Sequence, residues 1–341
     1  MLVRIRPVQL SVRRPGLGLA GRAALVATSL AAVACLGLLA LAPASAVAAP
    51  TGTPRLTVSQ LAADLRIGAN IRKVPANLDP PLSRAADAKP LIVKNGCSLF
   101  VTRVESKPCV YGATKSHTSV VLFGDSHAAA WFPALNGISK QQHWRLVDFT
   151  KAACPPPEVV ILWFGTQYPA CPLWRADALR RIAEMHPALV VVAGARYPFA
   201  LVKPLPGVPA GNGNTWLDGL AATFLFLREH AQRVVFISDV PALEDSDPDC
   251  VSHHKSDVTA CTTELNDAVF LPDIKAAELA LARQDHVNTI DPTSWFCTPT
   301  RCPAIVGNII LYRDQDHVSP QWSRFIAPVL SDALRPIMPS A

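Results

Sequence analysis

Two short motifs near opposite ends of the chain combine residues able to perform nucleophilic chemistry. Gly-Asp-Ser-His, residues 124–127, follows an apolar run, and Asp314 and His317 are spaced Asp-x-x-His before a Val-Ser-Pro turn. A serine hydroxyl attacks an acyl carbon when a histidine accepts its proton and a carboxylate orients the imidazole. The two motifs together predict Ser126 as nucleophile, His317 as general base and Asp314 as the residue that orients it.

The Gly-Asp-Ser tripeptide also has a purely structural interpretation, because the same residue types cap ordinary helices. In the catalytic interpretation, Gly124 allows a sharp turn and Ser126 opens a helix, whose N-terminal amides favour a developing oxyanion. Asp125 is expected to stabilise the turn. Asp316 is expected to face solvent as a mere neighbour of His317.

Apolar runs that alternate with helical patterns indicate the elements that must position these motifs. Strands are predicted at Ser119–Phe123, Trp144–Phe149, Leu189–Ala193, Arg233–Ser238 and Val287–Ile290. Helices are predicted near 127–140, 172–186, 215–231, 264–284 and 320–335. Continuous apolar strands separated by helices are typical of a parallel sheet that is buried on both faces. We therefore expect one three-layer α/β domain, with its site at the carboxyl ends of the strands.

The N-terminal segment has the features of an export signal. Residues 1–46 contain five arginines and no acidic residue. The arginines precede an uncharged apolar run at 23–42, and a small-residue stretch follows at 43–49. Such a segment is either a cleaved signal peptide or a retained single-span anchor. Both alternatives place the remainder outside the cytoplasm, because positive charge stays inside.

The charge of the chain argues against a nucleic-acid partner. The formal net charge of +6 comes mostly from those N-terminal arginines. The remainder is close to neutral and shows no basic stripe interleaved with aromatic residues.

Nine cysteines agree with export. Apart from Cys35, eight fall into sequence-local pairs, for which disulfides between neighbours are the simplest arrangement, although sequence alone does not fix connectivity. The expected pairs are Cys97–Cys109, Cys154–Cys171, Cys250–Cys261 and Cys297–Cys302. The sequence gives little support for a metal site, because no Cys-x-x-Cys or His-x-x-x-His spacing accompanies them, and we expect no metal and no cofactor.

The ordered set of motifs resembles the SGNH hydrolase superfamily, most closely the extracytoplasmic SGNH domain attached to bacterial membrane O-acyltransferases of envelope glycans. The resemblance spans roughly residues 60–338, from VPANLDP through LFGDSHAAAWFPAL and ACPP to LYRDQDHVSP. It implies a flavodoxin-like α/β/α fold and a catalytic triad of Ser126, His317 and Asp314. The implied layout is a signal peptide or anchor at 1–49, a linker and proline-rich wrap at 50–90, and the SGNH domain at 91–338.

Two blocks depart from the pattern of the superfamily. A glycine and an asparagine usually supply oxyanion donors there, whereas this chain has DFTKAACPP in the second block and GARYPF in the third. In the second block Thr150, Lys151 or their backbone must serve, or the donor differs. In the third block Arg196 is the candidate substitute, to stabilise an oxyanion or bind a glycan oxygen. For the side chains of Lys151 and Arg196 the alternative is a solvent-exposed role. His127 is a candidate substrate contact, or else it packs or caps the helix.

These observations predict an exported serine esterase or O-acyltransferase that acts on acyl groups, such as acetyl, of an envelope glycan through an acyl-serine. The alternative is a non-catalytic glycan-binding or envelope-organising module with the same fold. Expected partners are a glycan or small acyl ester and, for transfer, a separate membrane protein that donates the acyl group. Contact with the membrane is expected only through the N-terminal helix. Trp131, Trp163, Trp174 and Trp295 belong either to a sugar-stacking platform or to the core.

Overall fold

The computed structural model describes residues 55–106, 109–197, 202–207 and 214–338. The predicted signal peptide or anchor at 1–49 lies outside these ranges. Within them, no helix is both long enough and apolar enough to cross a membrane.

The central element is a six-stranded sheet with the order β1-β3-β2-β6-β8-β10, in which the edge strand β1 is antiparallel and the other five are parallel. The strands of the chain are β1 (Val110–Gly112), β2 (Ser119–Gly124), β3 (Arg145–Thr150), β4 (Val159–Trp163), β5 (Thr166–Gln167), β6 (Leu189–Ala193), β7 (Val202–Pro204), β8 (Val234–Ile237), β9 (Thr263–Glu264), β10 (Asn288–Ile290), β11 (Arg301–Cys302), β12 (Ile305–Val306) and β13 (Ile309–Ile310). The five parallel strands are the five that the apolar pattern predicts. The remaining strands form small antiparallel sheets outside the main one.

Helices cover both faces of this sheet. They are α1 (Val58–Gly68), α2 (Leu82–Ala85), α3 (Leu91–Lys94), α4 (Ser126–Gln141), α5 (Ala170–Met185), α6 (Thr215–His230), α7 (Asp247–His253), α8 (Leu265–Ala268), α9 (Pro272–Gln284), α10 (Pro320–Phe325) and α11 (Ala327–Leu334). Two 3₁₀ turns lie at Val258–Cys261 and Thr293–Trp295.

The alternation of side chains along β2 divides the core into two layers. Val120 and Leu122 pack in one apolar cluster with residues of α1, α4, α10 and α11. Val121 and Phe123 pack in the other cluster with residues of α5, α6 and α9. Successive strand residues point to opposite faces, so the sheet is buried on both sides. The predicted three-layer α/β class is confirmed.

The segment before residue 91 packs onto the domain. Thr57 caps α1 through a reciprocal capping box with Gln60, which satisfies otherwise unpaired amides at the helix start. Leu61 and Leu65 of this helix are fully buried in the same cluster as Leu122. The region predicted as linker and wrap therefore contributes a helix to the core.

Two predicted helices are interrupted. The pattern near 264–284 divides into α8 and α9, because Leu271 adopts a left-handed conformation with φ 49° and Pro272 begins the second helix. The pattern near 320–335 divides at Ile326, just before Pro328. Proline at the start of a helix is favoured but cannot continue a preceding one.

Four disulfides close the loops around the sheet. They join Cys97 to Cys109, Cys154 to Cys171, Cys250 to Cys261 and Cys297 to Cys302. Each predicted neighbour pair is thus formed.

Candidate active site

The position of Ser126 is set by the tight turn that ends β2. Gly124 has φ +146°, and a Cβ atom there would lie 1.8 Å from the carbonyl oxygen of Ala193 on the neighbouring strand β6. Only glycine tolerates this backbone and this approach. Ser126 follows two residues later as the first residue of α4, so its amide has no acceptor within the helix.

Asp125 ties this turn to the adjacent loop. Its carboxylate is fully buried and accepts hydrogen bonds from the amide of His127 at 2.8 Å and the amide of Ala195 at 3.0 Å. Burial raises the pKa of Asp125 in spite of these hydrogen bonds. The carboxylate has the turn-stabilising role that its sequence position predicts.

His317 lies in a short loop between β13 and α10. Its carbonyl accepts from the amide of Arg313 at 3.0 Å, and Tyr312 bridges to Val318. Asp314 Oδ1 accepts from the amide of His317 at 2.7 Å. The same carboxylate therefore shapes the loop and meets the imidazole.

Ser126, His317 and Asp314, predicted from motifs far apart in sequence, meet in one hydrogen-bonded line. His317 Nε2 lies 2.8 Å from Ser126 Oγ, and His317 Nδ1 lies 3.0 Å from Asp314 Oδ1. Burial opposes protonation of His317, but hydrogen bonds to Asp314 and Asp316 outweigh it and raise its pKa above the usual value. With Nδ1 donating to a carboxylate, Nε2 is free to accept the serine proton.

Asp316, expected to face solvent as a neighbour of His317, is half-exposed but also contacts two histidines. Although its side chain is 47% exposed, Oδ1 lies 2.8 Å from His317 Nδ1 and Oδ2 lies 3.7 Å from His127 Nε2. Burial would raise the pKa of Asp316, but hydrogen bonds to the two histidines hold it below its usual range. The imidazole of His317 is thus flanked by two carboxylates.

His127 belongs to a second histidine–carboxylate pair, whose partner the sequence reasoning missed. Its Nδ1 lies 2.7 Å from Asp239 Oδ1, and both side chains are buried. Asp239 follows β8 by two residues, at the same sheet edge as Ser126. That position at the carboxyl end of a parallel strand was the available signal.

Lys151 is not available as an oxyanion donor, in contrast to the expectation from its block. Its ammonium donates to the backbone carbonyls of Phe100, Val101 and Arg103, and its amide donates to the carbonyl of Gly124. The buried lysine therefore ties the loop after residue 99 to the sheet edge.

Arg196 is also used elsewhere. Its side chain is 1% exposed and forms an ion pair with Glu278 at 3.5 Å, and its Nε donates to the carbonyl of Phe270. Its amide donates to Asp239 Oδ2 at 3.1 Å. Nε and Nη1 of the guanidinium thus support the loop from behind, while among the described residues no hydrogen-bond partner is assigned to Nη2.

A cleft of about 770 Å³ opens over the hydroxyl of Ser126. Its walls combine backbone and polar groups with aromatic side chains, among them Phe100, Trp163, Tyr197 and Phe270. Of the four tryptophans considered for sugar stacking, only Trp163 lines this cleft, whereas Trp131, Trp174 and Trp295 are buried in the core.

Three side chains at the site have the spacing of metal ligands. Ligand atoms of His127, Asp316 and His317 lie within 4.8 Å of one another. Each side chain already has partners among protein groups, including Ser126 and Asp239. We therefore interpret them as a hydrogen-bond and ion-pair network.

One solved structure supports the assignment of the fold. The periplasmic domain of a lipopolysaccharide acetyltransferase from Salmonella ser. Paratyphi A superimposes with a TM-score of 0.51 at 16% identity, covering 81% of this chain and 95% of that one. A possible lipase from Chitinophaga pinensis matches with a TM-score of 0.36 at 12% identity, covering 64% and 98% of the two chains.

Comparison by sequence identifies the family. No curated protein matches the chain. A family model described as "SGNH domain (fused to AT3 domains)" matches residues 96–332, a range that contains Ser126, Asp314 and His317. The chain therefore belongs to this family of SGNH domains.

Proposed function

We propose that this protein is a serine esterase or O-acyltransferase that works through an acyl-serine at Ser126. The observation that carries the proposal is the 2.8 Å contact between Ser126 Oγ and His317 Nε2, with Nδ1 of the same ring held by Asp314 at 3.0 Å. This is the arrangement that activates a serine hydroxyl as a nucleophile.

The geometry supports a two-step reaction. His317 Nε2 accepts the Ser126 proton while Oγ attacks the acyl carbonyl carbon, and the ester C–O bond then breaks as the imidazolium returns the proton to the leaving alcohol. In the second step His317 takes a proton from water or a sugar hydroxyl, whose oxygen attacks the acyl-serine. Collapse of that intermediate returns the proton to Ser126 and releases a free acid or an acylated sugar.

Backbone amides are the best candidates to stabilise the oxyanion. Ser126 contributes the first amide of α4, whose orphan donors and dipole favour negative charge. Ala153 also lines the cleft, and among the described residues no acceptor is assigned to its amide. We assign these two amides the role predicted for Lys151 and Arg196, because the Lys151 ammonium donates to three carbonyls and Nε and Nη1 of Arg196 donate to Phe270 and Glu278.

The cleft favours a carbohydrate ester as substrate. Aromatic faces such as Trp163 and Phe270 suit the apolar faces of sugar rings or the methyl group of an acetyl ester. The lipopolysaccharide acetyltransferase with the same fold gives a precedent for an acyl group on an envelope glycan. We therefore propose acetyl or another small acyl group on such a glycan as the substrate.

An extracytoplasmic location is part of the proposal. Disulfides persist in oxidising compartments, and this domain has four. The arginine-flanked apolar run at 23–42 supplies the corresponding export or anchoring signal.

Acyl transfer and hydrolysis are separated by product analysis. The purified protein is given an aryl acetate with and without a sugar acceptor, beside a Ser126→Ala variant. We expect turnover that depends on Ser126, with acetylated sugar marking transfer and acetate alone marking hydrolysis. Equal turnover in wild type and Ser126→Ala would refute the proposal, and absence of turnover in both with a range of acyl esters would favour the non-catalytic glycan-binding module.

A further inference from the structure

A line of titratable side chains runs from His317, the proposed general base, into the core. His317 Nδ1 lies 2.8 Å from Asp316 Oδ1, Asp316 Oδ2 lies 3.7 Å from His127 Nε2, and His127 Nδ1 lies 2.7 Å from Asp239 Oδ1. The rings of His127 and His317 meet edge to face with centroids 4.9 Å apart. The triad mechanism uses only the first of these four residues.

The inner end of this line of side chains is the buried pair of His127 and Asp239. His127 and Asp239 are 8% and 7% exposed at their side chains. Asp239 is itself held by the amide of Arg196 at 3.1 Å. A buried carboxylate with an amide donor on one oxygen and an imidazole on the other favours the protonated imidazole.

Nearby charges and hydrogen bonds both favour the protonated form of His127. Burial alone would lower its pKa, but the charge of Asp239 and hydrogen bonds to Asp239 and Asp316 raise it well above the usual value. The carboxylate of Asp125 acts in the same direction from the helix start. The ring of His317 packs against that of His127 edge to face.

We propose that His127 and Asp239 form a positioning pair, which places a positive charge beside Asp316 and the general base. Neither side chain of the pair contacts Ser126 Oγ among the described contacts, so the pair acts through Asp316 and His317. The proposal rests on the proposed function for its catalytic meaning.

The two neighbours of His317 then have opposite effects on its proton. The groups that face this imidazole are Asp314, Asp316, His127 and Arg313. Asp314 and Asp316 stabilise the imidazolium, whereas the positive charges of His127 and Arg313 destabilise it. His127 therefore keeps the base unprotonated at lower pH than the two carboxylates alone would allow.

Histidine titration tests this without requiring activity. The purified protein is labelled with ¹⁵N-histidine, the His317 resonances are assigned with His317→Ala, and all buffers contain a chelator. We expect Asp316→Asn to move the His317 midpoint to lower pH, and His127→Gln and Asp239→Asn to move it to higher pH. His117→Gln, an exposed position before β2, is the control and leaves it unchanged.

Opposite signs are the result that a merely structural role would not produce. A His317 midpoint that stays in place, or moves to lower pH, in both His127→Gln and Asp239→Asn would overturn the proposal. Circular dichroism confirms folding of each variant, and Asp316→Asn, half exposed, provides a test if the buried variants do not fold. An unchanged midpoint in folded Asp316→Asn would also overturn it.

Activity measurements separate this inference from the proposed function. If the proposed function and the positioning pair are both right, the variants rank in the same order by two measures. These are the pH midpoint of the acid limb of kcat/KM for an aryl acetate and the NMR midpoint of His317. Absence of turnover in the wild type with the expected NMR order would refute only the serine esterase. Normal turnover without that order would refute only the positioning pair.

Discussion

The two carboxylates beside His317 differ in what else they hold. The Asp314 carboxylate also accepts hydrogen bonds from the amides of Asp316 and His317 and forms an ion pair with Arg313 at 3.2 Å. It therefore stabilises the conformation of the loop. Asp316 has no such backbone role and instead joins His317 to His127. Loss of Asp314 is therefore expected to disturb the loop, whereas loss of Asp316 changes the electrostatics of the base.

Removal of the base tests whether Ser126 and His317 act as one unit. We expect His317→Ala to lower kcat for an aryl acetate by about 10⁴-fold or more, and Ser126→Ala/His317→Ala to be no worse than either single variant, because members of one catalytic unit are not additive. Steady-state kinetics on the three variants measure this. Multiplicative losses in the double variant would contradict it.

The pH dependence of activity follows from the raised pKa of His317. In the proposed mechanism the unprotonated imidazole is the base. Its hydrogen bonds to Asp314 and Asp316 raise its pKa above the usual value against the effect of burial. We expect kcat/KM to rise with pH through a midpoint above about 6.5, the value of a free histidine. A pH profile with a midpoint below that value would show that another group limits the rate.

Arg196 is expected to matter for stability more than for turnover. Its guanidinium pairs with buried Glu278, and breaking a buried pair costs about 3–5 kcal/mol. We expect Arg196→Met to lose about that much in urea unfolding, while kcat of the folded protein falls less than about 10-fold. A fall of ~100-fold or more, the scale of a lost oxyanion donor, would contradict the structural role.

Three adjacent parallel strands, β2, β6 and β8, carry the site at their carboxyl ends. β2 ends before Ser126, β6 ends before the loop that holds Ala195 and Arg196, and β8 ends before Asp239. The close approach of β2 and β6 at Gly124 fixes how Ser126 leaves the sheet.

Gly124→Ala tests this approach. The added Cβ would lie 1.8 Å from the Ala193 carbonyl, at φ +146°, so we expect a loss of at least about 3 kcal/mol in unfolding free energy, with strongly reduced activity. Gly137→Ala is the matched control, because nothing lies within 4 Å of its Cβ position in the C-terminal half of α4. That control should gain about 0.5–1 kcal/mol. Equal stability of the two variants in urea unfolding would contradict the account.

The sequence allows prediction of the strands and of the three triad residues, because apolar runs and the Gly-Asp-Ser turn are local signals. Ser126 is predicted partly because it follows the carboxyl end of a parallel strand. Asp239 follows the carboxyl end of β8 in the same way, so the same criterion would have included it. Lys151 and Arg196 could not be assigned in this way. A long cationic side chain at that edge can enter the cleft or turn back to carbonyls and buried acids, and only packing determines the direction.

Across the whole molecule, disulfides cross-link the loops around the central sheet and its two apolar clusters. Cys154–Cys171 links the loop that carries Ala153 to the start of α5 over 17 residues, whereas Cys297–Cys302 closes only 5. Longer closed loops restrict the unfolded chain more. The longer bridge therefore stabilises both the fold and one wall of the cleft.

Cysteine removal tests this difference. We expect Cys154→Ala/Cys171→Ala to lose more unfolding free energy than Cys297→Ala/Cys302→Ala, by about 1 kcal/mol in the loop-entropy model, with a total loss of about 2–5 kcal/mol. Urea unfolding of the two double variants under identical oxidising conditions measures it. A larger loss in the five-residue pair would show that native packing, and not loop closure, dominates.

The proposed function depends on Ser126 as a nucleophile that His317 activates. Reaction of the purified protein with a fluorophosphonate, followed by mass spectrometry of its peptides, tests this. We expect one phosphonyl adduct on the peptide that contains Ser126, no adduct in Ser126→Ala, and much slower labelling in His317→Ala. An adduct elsewhere in the chain, or equal labelling of wild type and Ser126→Ala, would contradict it.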